Sequence, residues 1–440
     1  MRGRIAAGGV LLVSALAASW RPSAFAQAQT AKPADYSNEA FVIENRSTQI
    51  TYQNDGTYSA TAKTRVRIQT QAGVQGFGVL SFSYASATST MEVVDVRVIK
   101  PDGRIIETPS ENVLEMPAEI TRQAPFYSDL KELQVAVKGL EAGDILETEV
   151  RSDTKKPLAP GEFWDNFDFL NAGIILRETL EVRLRRDRKV KIKSAKVQPT
   201  VTDDGADRIY RWTTANLTHA SPTETDDSEA HLADVQLTSF QSWDEFGAWV
   251  HSLFGPRASP SPEIQAKGAE LTRGATTDAE KTQRIYQFVA TKFRYIGVSF
   301  GVGRYQPHAA ADILSNDYGD CKDKHTLLTS LLAAAGTTAY PALINAQAKI
   351  DPDIPSPAQF DHVITAIPQG KGYLFLDTTS EVAPFGFLTS DLRDKQALVV
   401  KDDGTTELVK TPADPPFLHS LISRQTERWT IRERSRARCR

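Results

Sequence analysis

A chain of 440 residues, 40% hydrophobic and 24% charged with a formal net charge of −4, is long enough for two or three domains with cores of their own. The near-neutral balance speaks against nucleic-acid binding, and the ordinary hydrophobic content against disorder in the body of the chain. Two cysteines, Cys321 and Cys439, are too few for a disulfide-built fold.

The chain begins with Arg2 and Arg4, an apolar run over residues 5–20 and then Ala24-Phe25-Ala26. A basic start, a short apolar stretch and an A-x-A site describe a secretory signal peptide cut after Ala26. A retained anchor fits less well, because the run is short and rich in Ala and Gly. No later segment is apolar for long enough to cross a bilayer. The mature chain is therefore expected to be periplasmic or secreted, without a transmembrane helix.

Residues 40–225 read as strands. Residues 57–68 alternate towards their end, and residues 93–99 turn through Pro101-Asp102-Gly103-Arg104 into Ile105-Ile106-Glu107-Thr108, where Asp-Gly between β-branched runs signals a hairpin. Residues 133–137 and 145–150 are expected to pair, split by Glu141-Ala142-Gly143-Asp144. Residues 178–184 and 208–213 complete an antiparallel, sandwich-like β-rich domain. It shows no catalytic constellation: it lacks cysteine, and His219 lies in a polar stretch at its end. The charged run over 183–193 is interspersed with Leu, Val and Ile, as a solvated strand face would be.

A polar linker over 221–230 precedes helical character. Ser242 with Glu245 three residues on caps one helix, which Gly255-Pro256 is expected to end. A short helix over 263–271 follows, and Thr277-Asp278-Ala279-Glu280 opens another with Ile285, Tyr286, Phe288, Val289 and Phe293 as its apolar stripe. Residues 294–307 read as strand or loop leading to Tyr318-Gly319-Asp320-Cys321-Lys322-Asp323-Lys324-His325. This stretch opens a helix over 321–335 with Leu327, Leu328, Leu331 and Leu332 at helical spacing, stopped by Gly336. Unpaired backbone N–H groups, Lys322 and Lys324 favour a thiolate at Cys321, which makes it a nucleophile candidate. A bridge to Cys439 would silence that thiol, and the two are not expected to pair. A reactive thiol outside the cytoplasm is expected to be shielded in a cleft.

A cysteine nucleophile needs a base and a group that orients the base. His362 lies in an apolar strand over 361–367, sharing a face with Ile364 and Ala366. Asp377 ends the next strand, over 372–377, an odd place for a carboxylate without a partner. A hairpin that sets Ile367 opposite Gly372 across a four-residue loop would put His362 and Asp377 on one face.

These residues together, with Asp-His-Val, Leu-Asp-Thr-Thr and the preceding Arg304-Tyr305-Gln306-Pro307, closely resemble the transglutaminase-like superfamily of papain-type cysteine enzymes. The resemblance covers roughly residues 277–385. It is closest to a bacterial branch in which a β-rich domain of unknown function precedes the enzyme-like domain. It implies an α+β fold for the second half, with Cys321 as nucleophile, His362 as base and Asp377 as orienting carboxylate. The reaction expected is acyl transfer on a peptide or carboxamide; the triad is the same in hydrolase and acyltransferase, and export without a disulfide framework slightly favours a protease or amidase over a crosslinking enzyme. No cofactor or metal is implied.

An oxyanion donor is also required; the Cys321 backbone N–H is one candidate and Gln306 a weaker second. His325, four residues after Cys321, makes a Cys-x-x-x-His metal pair formally open, but no zinc spacing extends it to His308 or Asp320. Asp351 and Asp353 suit a Pro-rich surface loop as well as a calcium site. The organisation expected is a signal peptide over 1–26, a β-rich domain over 40–225, a linker and helical segment over 226–276, a cysteine-enzyme domain over 277–400 and a Pro/Arg-rich tail over 401–440. Residues 431–440 are expected to pack against nothing, as a disordered or truncated end would. A second function reading makes the β-rich domain the working part, binding an envelope partner, with the cysteine domain as scaffold.

Overall fold

Polar–apolar alternation broken by turn residues builds strands through the first half. In the computed structural model, which describes residues 36–124, 127, 129–218, 232–297 and 305–416, they are β1 (Phe41–Tyr52), β2 (Tyr58–Ile68), β3 (Val79–Ala85), β4 (Ser89–Ile99), β5 (Ile105–Glu107), β6 (Val113–Pro117) and β7 (Leu130–Ala136). There follow β8 (Ile145–Thr154), β9 (Trp164–Phe167), β10 (Ile174–Arg185), β11 (Lys191–Lys193), β12 (Thr200–Asp204), β13 (Asp207–Asn216) and β14 (Val235–Thr238), with short helices α1 (Gln71–Phe77) and α2 (Glu119–Gln123) between. The expected signal peptide, the linker over 221–230, His219, Arg304, Cys439 and the expected tail end over 431–440 lie outside the described residues.

An 8-stranded sheet has the order β12-β13-β10-β1-β2-β8-β4-β5. Its pairs are antiparallel except β1 with β10, which run parallel. A parallel pair needs a long crossover, and here the crossover is everything from β2 to β9. The small sheet β3-β7-β6 lies over one end, burying Val135 against Val66, Val98 and Leu146. The predicted pairing of 133–137 with 145–150 does not occur. Strand β7 pairs with β3 and β6, while β8 pairs with β2 and β4. The two strands face each other across the interlayer core, so their apolar faces stack instead of sharing a ladder. The turn between them hands the chain from one layer to the other. It is pinned by Lys100 Nζ, 2.8 Å from Asp144 Oδ2 and 2.9 Å from Glu141 Oε2.

The second half mixes helices with a curled antiparallel sheet. It comprises α3 (Trp243–Ala258), α4 (Pro262–Thr272), α5 (Asp278–Lys292), β15 (Arg294–Tyr295), α6 (Ala310–Asn316), β16 (Tyr318–Gly319) and α7 (Cys321–Ala334). Strands β17 (Tyr340–Ile344), β18 (His362–Gln369), β19 (Gly372–Leu376), β20 (Gln396–Val400) and β21 (Thr406–Lys410) form the sheet β19-β18-β17-β20-β21. The sheet thus runs to Lys410, into the stretch the sequence suggested was tail. The expected caps are in place: Ser242 Oγ and Thr277 Oγ1 accept from the N–H groups of Glu245 and Glu280, each at 3.1 Å. Pro256 does not end α3, which continues to Ala258; the missing donor costs a hydrogen bond without breaking the helix so close to its end.

Helix α7 is the centre of this half. Leu327, Leu328, Leu331 and Leu332 are fully buried against Ile264 of α4, Ile285 and Val289 of α5 and Ile313 of α6. Each such side chain contributes about 1.5–3 kcal/mol of burial. Across from it, α3 crosses the β20–β21 turn so closely that a Cβ on Gly247 would collide with the Gly404 carbonyl oxygen and Thr406 Cγ2. Gly247→Ala is expected to cost about 1–3 kcal/mol by overpacking, read as a shift in the urea unfolding midpoint.

The β-rich half and the cysteine half interlock. Thr238 Oγ1 donates to Pro355 O at 2.7 Å, Asn166 Nδ2 to Ala358 O at 3.0 Å, and Lys193 Nζ lies 2.6 Å from Asp351 Oδ2 and 3.3 Å from Asp353 Oδ2. Asp351 and Asp353 are thus engaged as loop anchors. Among the described residues no helix is long and apolar enough to cross a membrane.

Candidate active site

The chain enters α7 through β16, beside β15. Gly319 is required there, because a Cβ would collide with the side chain of Asp323. Asp320 is the N-cap, its Oδ1 accepting from Asp323 N at 3.1 Å. Cys321 is the first helical residue, 2% exposed, in a cluster with Phe240, Tyr305, Leu343 and Val363. Its backbone N–H is among those a helix start leaves without an intrahelical acceptor.

His362 opens β18 and Asp377 follows β19. The hairpin register differs from the predicted one. Gln369 pairs with Gly372 and Ile367 with Leu374, so the turn is the two-residue Gly370-Lys371, with Gly370 at φ +60°. A two-residue turn matches strand twist better than a longer loop when glycine supplies positive φ. The slip is by two residues, and side chains alternate with a period of two, so faces are preserved. His362 and Asp377 meet diagonally, with Nε2 3.3 Å from Oδ2.

The other carboxylate oxygen, Asp377 Oδ1, accepts from Thr379 N at 2.9 Å and Thr379 Oγ1 at 2.7 Å. Burial pushes Asp377 upward, but His362 and Thr379 outweigh it and hold the carboxyl below its ordinary value. Burial likewise opposes charge on His362. The Asp377 carboxylate, with a smaller contribution from the Cys321 sulfur, overcomes this and holds the imidazole well above 6.5. With Nε2 given to Asp377, Nδ1 is the nitrogen left for the sulfur.

The sign of the pH dependence follows. Asp377, depressed, contributes stability above its unfolded value near 3.8 and loses it as pH falls through the folded one. His362, raised, contributes fully below 6.5 and loses it as pH rises through its folded value. The stability gap between wild type and Asp377→Asn is therefore expected to peak near pH 5–6 and to shrink on the alkaline side, as measured by urea unfolding at several pH values.

A cleft of about 390 Å³ adjoins the pair, lined by Tyr295, Asp361, His362, Asp377, Thr379 and Leu392 among others. Gln306 is half-buried and, among the described residues, neither lines this cleft nor makes a side-chain hydrogen bond. His325 turns away into the core, where Nδ1 meets Thr365 Oγ1 at 2.7 Å and burial pushes the imidazole down to about 3. His308 instead contacts Asp323, and Asp320 contacts Lys322. Among the described residues no group of three or more His, Cys, Asp or Glu could hold a metal ion.

Sequence reasoning missed the parts played by Thr379, Tyr295 and Tyr127, and considered His308 only as a metal ligand, not as a partner of Asp323. Thr379 carried a signal, since Asp-x-Thr is the pattern in which a carboxylate bonds the backbone two residues on. The others reach the site through tertiary folding alone.

The structure thus sets a buried thiol at a helix start and a carboxylate-held histidine at the start of a sheet strand. Residues 265–363 match the model of the transglutaminase-like superfamily, and residues 54–220 match that of a domain of unknown function with a solved structure, DUF3857. The chain thus carries a DUF3857-like β-rich domain followed by a transglutaminase-core domain. A solved structure from Parabacteroides distasonis, described as a proposed protease, superposes with a TM-score of 0.73 at 17% identity, covering 86% of this chain and 72% of that one. That likeness is one of fold. A proposed cysteine protease from Cytophaga hutchinsonii aligns over 84% of this chain and 88% of its own at 11% identity, with a TM-score of 0.24 that carries no argument. No curated protein matches this chain.

Proposed function

We propose that the protein is an exported cysteine enzyme that transfers acyl groups from peptide or carboxamide substrates through Cys321, His362 and Asp377. The observation that carries this is the pairing of His362 Nε2 with Asp377 Oδ2 at 3.3 Å, together with Cys321 as the first residue of the buried helix. The Cys321 thiolate attacks the carbonyl carbon, and the carbon–nitrogen bond breaks as His362 gives its proton to the departing amine or ammonia. A thioester remains on Cys321. Water or an acceptor amine, deprotonated by His362, then takes the acyl group and restores the thiolate. Asp377 holds the imidazole and stabilises its charged form. The Cys321 backbone N–H offers one donor to the oxyanion.

Hydrolysis is the favoured outcome, making the protein a protease or amidase of the cell envelope. The test is incubation of wild type and Cys321→Ala with unfolded casein and with a dansylated amine. Casein fragments produced by wild type alone support hydrolysis, and dansyl incorporation supports transfer. Neither product, nor ammonia, from wild type would overturn the reading.

A further inference from the structure

Beneath the nucleophile lies a buried cluster of charge that the acyl-transfer steps do not use. Asp320, Lys322 and Asp323 are all within 2% of complete burial. Lys322 Nζ pairs with Asp320 Oδ2. Burial pushes the Lys322 ammonium down, but Asp320, Asp323 and the Cys321 sulfur outweigh it and keep it charged. Asp323 accepts from His308 N at 2.9 Å and faces His308 Nδ1 at 3.0 Å. A carboxylate this deep must find several donors or take up a proton.

Its remaining donor comes from the β-rich half. Tyr127 Oη, between α2 and β7, donates to Asp323 Oδ2 at 3.1 Å across 196 residues of sequence. The same ring lies under the Lys322 ammonium at 5.9 Å and edge-on to His308 at 5.9 Å. Ala124, Tyr127 and Leu130 pack with Ile296 from the cysteine half, so the hydroxyl is delivered by a packed seam. One residue of the β-rich domain therefore touches both Lys322 and Asp323, in the helical turn that Cys321 opens.

We infer that Tyr127 is a positioning residue for the nucleophile: its hydroxyl and ring fix the Asp320–Asp323 turn of α7 and so hold Cys321 against His362. The inference rests on the proposed catalytic role of Cys321 and extends it by giving the β-rich domain a part in assembling the site. If the helix start relaxes, Cys321 separates from His362 and the thiolate loses its partner. The charged and titratable groups around that start are Asp320, Lys322, Asp323, His308, Tyr127 and Tyr295, with His362 opposite.

The test is the pH profile of iodoacetamide alkylation at Cys321 in the full chain, mapped by peptide mass spectrometry. Tyr127→Phe keeps the ring and deletes the hydroxyl. It is expected to raise the alkylation midpoint by about half a unit to one unit, the scale of one lost charge-assisted hydrogen bond. Leu130→Ala weakens the same seam without touching Asp323. It is expected to lower the melting temperature and leave the midpoint in place. A Tyr127→Phe midpoint equal to wild type, or an equal shift in Leu130→Ala, overturns the inference while leaving the proposed function standing. An ordinary-thiol profile in wild type removes both.

Discussion

Lys322→Ala is expected to lower the unfolding free energy by about 3–5 kcal/mol, as removal of one partner from a buried ion pair does. Lys322 is 2% exposed and Asp320 fully buried, so solvent cannot replace the lost ammonium. Two carboxylates, Asp320 and Asp323, would then share the first turn of α7 with fewer counter-charges. The loss should be read from equilibrium urea unfolding of the full chain. Adding Asp320→Asn to Lys322→Met should recover most of it, because asparagine still caps a helix and no buried charge is left alone. A loss below about 1 kcal/mol, the size typical of an exposed pair, would mean that the cluster is hydrated and the helix start open.

His362→Ala carries the largest expected effect on reactivity. Histidine-paired thiols react as thiolates at lower pH than unpaired ones, so deleting the imidazole should move Cys321 alkylation to higher pH. Each alkylation profile must be normalised to its own plateau, because an ion-paired thiolate is intrinsically the weaker nucleophile. The variant should stay folded, since His362 sits at the start of β18 and its ladder bonds are made by the backbone. An unchanged midpoint would show that Cys321 and His362 act independently.

Much of the second half was legible because its signals are local. Ser242 and Thr277 announced their helices by capping chemistry, and the leucines of α7 by spacing, and each depends on residues within a turn or two. The meeting of His362 with Asp377 was legible for a subtler reason. The hairpin was placed two residues out of register, with Ile367 opposite Gly372, yet a slip of two keeps every side chain on its own face.

The failures are non-local. Nothing in residues 130–154 says that β7 and β8 belong to different layers, because either arrangement buries Val135 and Leu146 equally well. The parallel pairing of β1 with β10 joins segments separated by every intervening strand. Tyr127 lies in a stretch with no motif, and its importance appears only when α7 is brought against it. Pro256 misled in the opposite direction: a strong local breaker was overridden by the packing of Phe246, Val250 and Phe254 along α3.

The central claim is that Cys321 is an activated thiol, and the pH profile of its alkylation in the wild-type chain tests it most directly. With Cys439→Ser in the background the signal belongs to one sulfur. The expected result is alkylation that persists well below about pH 8. A single rise centred near 8.5, the behaviour of an unassisted thiol, would contradict it.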